Sequence, residues 1–192
     1  MTADSKFNQA LASILGHHCF EEFFSSPLGL VDVGARWGVS EIFHPFAKVI
    51  DVLAFEPEAE EAKKTKKQLN HDGWARACVL PIALAKSSGK VKLRLLRHRN
   101  NSSIYAVRDE SYHRYQLTGF ELDKTLVVPT TTLDDIVFGP EGNNHQWGEI
   151  IKIDAQGAEL EILRSFNFDY FKPKIIALEI HGGDIQKNLE SE

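Results

Sequence analysis

Cysteine is scarce in this chain: Cys19 and Cys78 are its only two among 192 residues. They lie far apart and neither belongs to a CxxC pair, which argues against a zinc site or a disulfide framework and for two reduced, buried thiols. A reducing compartment follows, and the cytoplasm is the expected location. Long apolar runs are also missing, so no membrane span is expected. The opening Met1 to Lys6 lacks the basic region followed by an apolar one that marks a secretory leader. Positive charge is in deficit, with 22 Lys and Arg against 27 Asp and Glu and a formal net charge of −5. Binding to nucleic acid is therefore not expected, because neutralising phosphates needs surplus cations. His17 and His18 are adjacent and point in different directions, so no metal is expected there.

What is present is an ordinary globular composition, 43% hydrophobic and 26% charged, with enough length for a single domain and a sizeable core. Phe7, Ala10, Leu11, Ile14 and Leu15 recur at helical spacing, which predicts an amphipathic helix ending near Gly16. Residues 1–28 are read as a helical cap and 29–192 as one α/β domain, with no internal repeat and no linker.

The domain is organised around Leu30-Val31-Asp32-Val33-Gly34-Ala35-Arg36-Trp37-Gly38. Apolar residues on both sides of Asp32 predict a fully buried parallel strand, and Gly34 and Gly38 allow a tight turn with close approach of a ligand. A helix is expected from about Gly38, with Val39, Ile42, Phe43 and Phe46 inward and shortened or bent by Pro45. Val49 to Phe55 forms the second strand and ends in Glu56-Pro57. An acid about 22 residues beyond the glycine turn is where a doubly wound fold places a ribose-diol ligand; a helix cap is the plainer reading.

In the next helix Glu58, Glu60 and Glu61 come first and Lys63, Lys64, Lys66 and Lys67 later, which complements the helix dipole. Glu60 with Lys64 is a favourable pair, and Ala59, Ala62 and Leu69 are expected to face the sheet. Ala77 to Ala85 reads as a third strand. Val91, Leu93 and Leu95 alternate with Lys92, Arg94 and Leu96, a half-buried strand. The cations from Lys90 to Arg99 could hold an anion, but they read more simply as protection of a sheet edge. Leu126 to Pro129 is a short extended segment, and Thr132 caps a helix with Asp135 three places on. Ile150 to Asp154 is a second buried strand with a small-residue turn. A helix with Leu160, Leu163 and Phe166 on one face leads to a last strand, Ile175 to Ile180, closing on His181.

Asp32, Glu56, Asp154 and His181 thus stand at carboxyl ends of parallel strands, the edge along which open α/β sheets bind ligands. Six segments then combine: Asp32-Val33-Gly34-Ala35 with Gly38; Phe55-Glu56-Pro57; Ala83-Leu84-Ala85 ahead of Gly89; Ser102-Ser103; Thr132-Leu133-Asp134; and Lys152-Ile153-Asp154-Ala155-Gln156-Gly157-Ala158-Glu159. In that order they resemble the FkbM-like S-adenosylmethionine-dependent methyltransferases, over roughly Leu30 to Gly183.

The resemblance implies a Rossmann-like methyltransferase fold: an open, mostly parallel sheet with helices on both faces. It also implies S-adenosylmethionine as the methyl donor and in-line transfer to a hydroxyl oxygen of a small molecule or glycan. Carried over by position, Asp32, Gly34, Ala35 and Gly38 shape the methionine end, Glu56 with Pro57 takes the ribose, and Ile82 and Ala83 border the adenine. Asp154 lies beside the transfer centre and orients the acceptor, while His181 is the candidate base.

Two departures stand out. Arg36 occupies a position where the family has a small or amide residue; it could pair with the donor's carboxylate, or crowd the pocket and repel the sulfonium. Only His181 to Glu192 follow the last strand, too few for the helix and antiparallel strand pair expected there, as in a shortened or partial family member. Two other readings stay open. A nicotinamide-dependent oxidoreductase is disfavoured because Gly34 to Gly38 lacks the three-glycine spacing. A non-catalytic methyltransferase-like domain binding the donor or a protein partner is the other. Oligomeric state is not legible.

Overall fold

The computed structural model describes residues 26–106, 118–139 and 147–179, together with Ser13. The segment expected as an N-terminal helix, apart from Ser13, together with Cys19, the histidine pair and His181, lies outside the described residues. Among the described residues no helix is long and apolar enough to cross a membrane.

Among the described residues eight strands form two sheets. The larger holds β1 (Leu28–Val33), β2 (Ile50–Phe55), β3 (Arg76–Leu80), β7 (Ile150–Ile153) and β8 (Ile175–Leu178) in the order β3-β2-β1-β7-β8. All four pairings are parallel. The smaller sheet, in the order β4-β6-β5, contains β4 (Ala83–Leu84), β5 (Gly89–Leu96) and β6 (Leu122–Thr131). This is the α/β architecture that the sequence predicts, with the central position of β1 explaining why the apolar residues on both sides of Asp32 are buried.

Alternate residues along the large sheet feed two separate cores, the direct consequence of the two-residue repeat of a strand. On one face Leu30, Val52, Ala54 and Ile150 pack with Val39, Phe43 and Ala47 of a 3-10 helix (Glu41–Val49) and with Ala62 and Leu69 of α1 (Ala59–Leu69). On the other, Val31, Val33, Leu53, Phe55, Ile151 and Ile153 pack with Leu133, Ile136 and Val137 of α2 (Leu133–Phe138). Ile162 of α3 (Glu159–Arg164) and Phe166 complete that core. Helices therefore cover both faces.

Several local expectations need correction. Pro45, which cannot donate to an α-helical ladder, sits within a 3-10 helix, and Ile42 points outward. In α1 it is Ala62, Thr65 and Leu69 that are buried, while Ala59 is exposed. The ion pairs there join Lys63 to Glu60 and Lys64 to Glu61, at 2.6 and 3.0 Å. The run from Ala77 to Ala85 is two strands, because β3 joins the large sheet and β4 the small one, with Pro81 in the break. Leu160 is exposed and Ile162 carries the inward face of α3. Cys78 is an exposed free thiol. Thr132 caps α2 as expected, its Oγ1 accepting from the Asp135 N–H at 3.0 Å.

Candidate functional site

At the carboxyl end of the large sheet lies a cavity of about 380 Å³, closed on its far side by the small sheet. That volume falls in the range of small-molecule sites, roughly 300–1,000 Å³.

The floor is the β1 turn. Gly34 has φ +81°, and a Cβ there would come within 1.9 Å of the Asp154 carbonyl oxygen. Only glycine fits. The Gly34 and Ala35 N–H groups both donate to the Phe55 carbonyl at 3.0 Å, and the Asp154 N–H donates to the Val33 carbonyl at 3.0 Å. The turns after β1, β2 and β7 are thereby tied into one platform.

Glu56 stands on the next strand, buried in the cavity wall. Its Oε1 accepts from the Glu58 N–H at 2.8 Å and from Arg36 at 3.4 Å. Both contacts fall on one oxygen, so among the described residues Oε2 accepts no hydrogen bond. The acid is thus both a cap for the chain entering α1 and a one-oxygen acceptor facing the cavity. Burial pushes its carboxyl above the ordinary glutamate value, opposed by the nearby guanidinium.

Arg36, which carries two readings in the sequence, also lines the cavity. Its guanidinium lies 2.5 Å from Glu58, 3.4 Å from Glu56 and 3.8 Å from Glu61. Three carboxylates at the start of α1 hold it, so its charge is spent locally.

The β7 turn supplies the opposite wall. Asp154 Oδ1 accepts from the Gln156 amide at 2.8 Å, and Glu159 Oε1 receives the Ala155 N–H at 2.8 Å. Two non-glycine residues of the cavity wall, Trp37 with φ 72° and Gln156 with φ 52°, adopt the left-handed backbone region that side chains rarely tolerate. Strain of this kind persists only where the surroundings enforce it and gathers at ligand sites. Trp37 is exposed, and its indole N–H donates to Asn100 Oδ1 at 2.9 Å.

The small sheet forms the lid through Leu93 and Leu95, followed by Asn100 to Ile104. Ser103 Oγ donates to the Gln156 carbonyl at 2.7 Å, fastening lid to platform. Arg94 and Arg99 are likewise committed, Arg94 to the Ile104 carbonyl and Arg99 to the Leu96 carbonyl and Asp123. Lys90 and Lys92 are exposed on the edge strand β5, as edge protection requires.

Of the residues singled out in the sequence, Gly34, Glu56, Pro57, Ile82, Ala83 and Asp154 line the cavity together. Asp32, Ala35 and Gly38 do not line it. Asp32 is fully buried one residue beneath the rim, Ala35 packs in the core under α1, and Gly38 abuts Gln68. His181 lies outside the described residues. The sequence reading assigned no role to Trp37, Glu179 or the Leu93–Leu95 wall. The alternation along β5 marks Leu93 and Leu95 as inward, but nothing local says that inward means toward this cavity.

Among the described residues no group of three or more His, Cys, Asp or Glu side chains is arranged to hold a metal. No curated protein and no solved structure matches the chain. A family model does: the methyltransferase FkbM domain matches residues 32–190. That span begins at the buried acid near the end of β1 and takes in the other seven strands and every wall of the cavity, and the chain accordingly belongs to the FkbM methyltransferase family.

Proposed function

We propose that this methyltransferase uses S-adenosylmethionine and methylates a hydroxyl oxygen on a small-molecule or glycan acceptor. The observation that carries the reading is Glu56: a buried carboxylate in the cavity wall with one oxygen capping α1 and the other uncommitted. A carboxylate only accepts hydrogen bonds, so vicinal hydroxyls of a ribose are its natural partners. The residues present fit such a donor. Gly34 leaves the platform without a side chain, Ile82 and Ala83 offer an apolar border for a purine, and Asp154 adds a negative charge across the cavity from Glu56.

When bound, the donor supplies a methyl group already activated by its sulfonium. The chain's own contribution is alignment and exclusion of water. Glu56 fixes one end of the ligand, the Gly34 turn sets its depth, and Leu93 and Leu95 give the cavity one apolar wall. Asp154, held by Gln156, is available to accept a hydrogen bond from an acceptor hydroxyl and orient its lone pair.

The test is the melting temperature with S-adenosylhomocysteine or NAD. A ligand at about 100 times its Kd stabilises the folded state by about 2.7 kcal/mol, a rise of roughly 5–10 °C for a domain of this size. Such a rise with S-adenosylhomocysteine alone is expected. Stabilisation by NAD alone overturns the assignment, and no response to either favours a non-catalytic interaction domain.

A further inference from the structure

The mechanism above leaves one buried charge cluster unused. Asp32 and Lys152 are register partners on β1 and β7, and so project from the same face of the sheet. Asp32 is wholly inaccessible, and neither of its carboxylate oxygens has a well-directed hydrogen bond among the described residues. Its compensation is the Lys152 ammonium, 3.2 Å from Oδ1, and that same ammonium lies 3.7 Å from Asp154 Oδ2. One cation thus spans an acid sealed beneath the glycine turn and an acid in the cavity wall.

Resting on the donor-site reading given above, we propose that Lys152 is a positioning residue: its ammonium links Asp32 to Asp154 and so fixes the direction of the carboxylate facing the transfer site. Asp32 then influences the cavity through Lys152, without touching a ligand. The geometry has a clear logic. Asp154 Oδ1 is held by Gln156 and Oδ2 is drawn toward Lys152, so the carboxylate plane is set from both sides. Lys152 cannot swing fully to Asp154, because leaving Asp32 uncompensated in the interior is costly.

The other charged groups around the cluster are accounted for. β2 presents Ala54 opposite Asp32 and carries Glu56 at its end, β8 is followed by Glu179, and Arg36 in the glycine turn is held by Glu56, Glu58 and Glu61. The charges that act on Asp32 are Lys152, which favours its ionised form, and Asp154, which opposes it. Burial, reinforced by Asp154, outweighs Lys152 and lifts Asp32 to about 6.

The test is a double-mutant cycle of Lys152→Met and Asp154→Asn, read by calorimetry with S-adenosylhomocysteine and by urea unfolding, with Lys152→Arg and Asp32→Asn beside it. With Asp154 present, Lys152→Met should weaken binding about tenfold, and in Asp154→Asn it should change affinity by no more than about twofold. Arginine should restore native affinity. Asp32→Asn, which keeps the shape and frees Lys152 to move toward Asp154, should also change affinity, and it serves if Lys152→Met does not fold. An unchanged affinity in the folded variants, or effects of Lys152→Met and Asp154→Asn that simply add, overturns the proposal. If the native chain binds no S-adenosylhomocysteine, the donor reading fails, and the same cycle read in urea-unfolding stability alone decides whether Lys152 and Asp154 are coupled.

Discussion

Replacing Gly34 with alanine strikes the point where three strands meet, and its cost can be worked from the geometry. A left-handed alanine carries about 1–2 kcal/mol of backbone strain. The added Cβ would also stand 1.9 Å from the Asp154 carbonyl oxygen, where real Cβ atoms do not approach within 3.0 Å. The β1 and β7 turns must therefore separate by about an ångström, weakening the hydrogen bonds that Gly34, Ala35 and Asp154 donate across the platform. At roughly 1 kcal/mol each, these bring the loss to about 3–5 kcal/mol, or a fall in melting temperature of roughly 10 °C or more. Urea unfolding of Gly34→Ala against native protein measures it, and calorimetry with S-adenosylhomocysteine should show affinity lost in the folded fraction. A stability loss below about 1 kcal/mol with native affinity would mean that the two turns are not packed as described.

Three further outcomes follow from the same structure. Asp32 holds its proton to about pH 6 when folded, against an ordinary value of 3.8, so its contribution to stability is greatest below about pH 4 and is lost as pH rises through 6, by about 3 kcal/mol. Asp32→Asn mimics the protonated form, so its stability relative to native should rise by about 2–3 kcal/mol between pH 4 and 7; parallel urea-unfolding profiles would refute the burial argument. Glu56→Gln should weaken S-adenosylhomocysteine binding by about 10- to 100-fold, the equivalent of a hydrogen bond to a charged group, while leaving the urea midpoint nearly unchanged; unaltered calorimetric affinity would remove Glu56 from the site. Trp37 is the exposed tryptophan of the cavity wall, whereas Trp74 and Trp147 are buried. Donor-site occupation should therefore change the intrinsic fluorescence of native protein and not that of Trp37→Phe; an identical response from both would place the ligand elsewhere.

The parts of the fold legible in the sequence are those whose physics is local. β1, β2 and β7 are buried on both faces, so each is an apolar segment broken by a single charged residue, Asp32, Asp51 and Lys152 in turn, and their carboxyl ends could be recognised before their neighbours were known. Thr132 caps α2 through a contact three residues away. The break between β3 and β4 was hidden because apolarity does not say which sheet a residue joins. β6 extends from Leu122 to Thr131, well beyond Leu126 to Pro129, and its start was hidden because Leu122 to Thr125 are exposed and three of the four are polar. The site divides in the same way. Glu56 and Asp154 were legible as strand-end acids, and Gly34 as a turn. Arg36 was ambiguous because the three carboxylates that hold it come together only when β2 and α1 are in place. Lys152 was hidden in plain view: a single cation in a buried strand acquires meaning only when the register sets it opposite Asp32.

The most direct test of the donor-site reading is a crystal structure of the chain with S-adenosylhomocysteine. The account predicts the ligand in the cavity between the two sheets, with its ribose hydroxyls at hydrogen-bond distance, about 2.5–3.0 Å, from Glu56 Oε2 and its amino-acid end over the Gly34 turn. A ligand bound outside that cavity, or a ribose that makes no contact with Glu56, would contradict it.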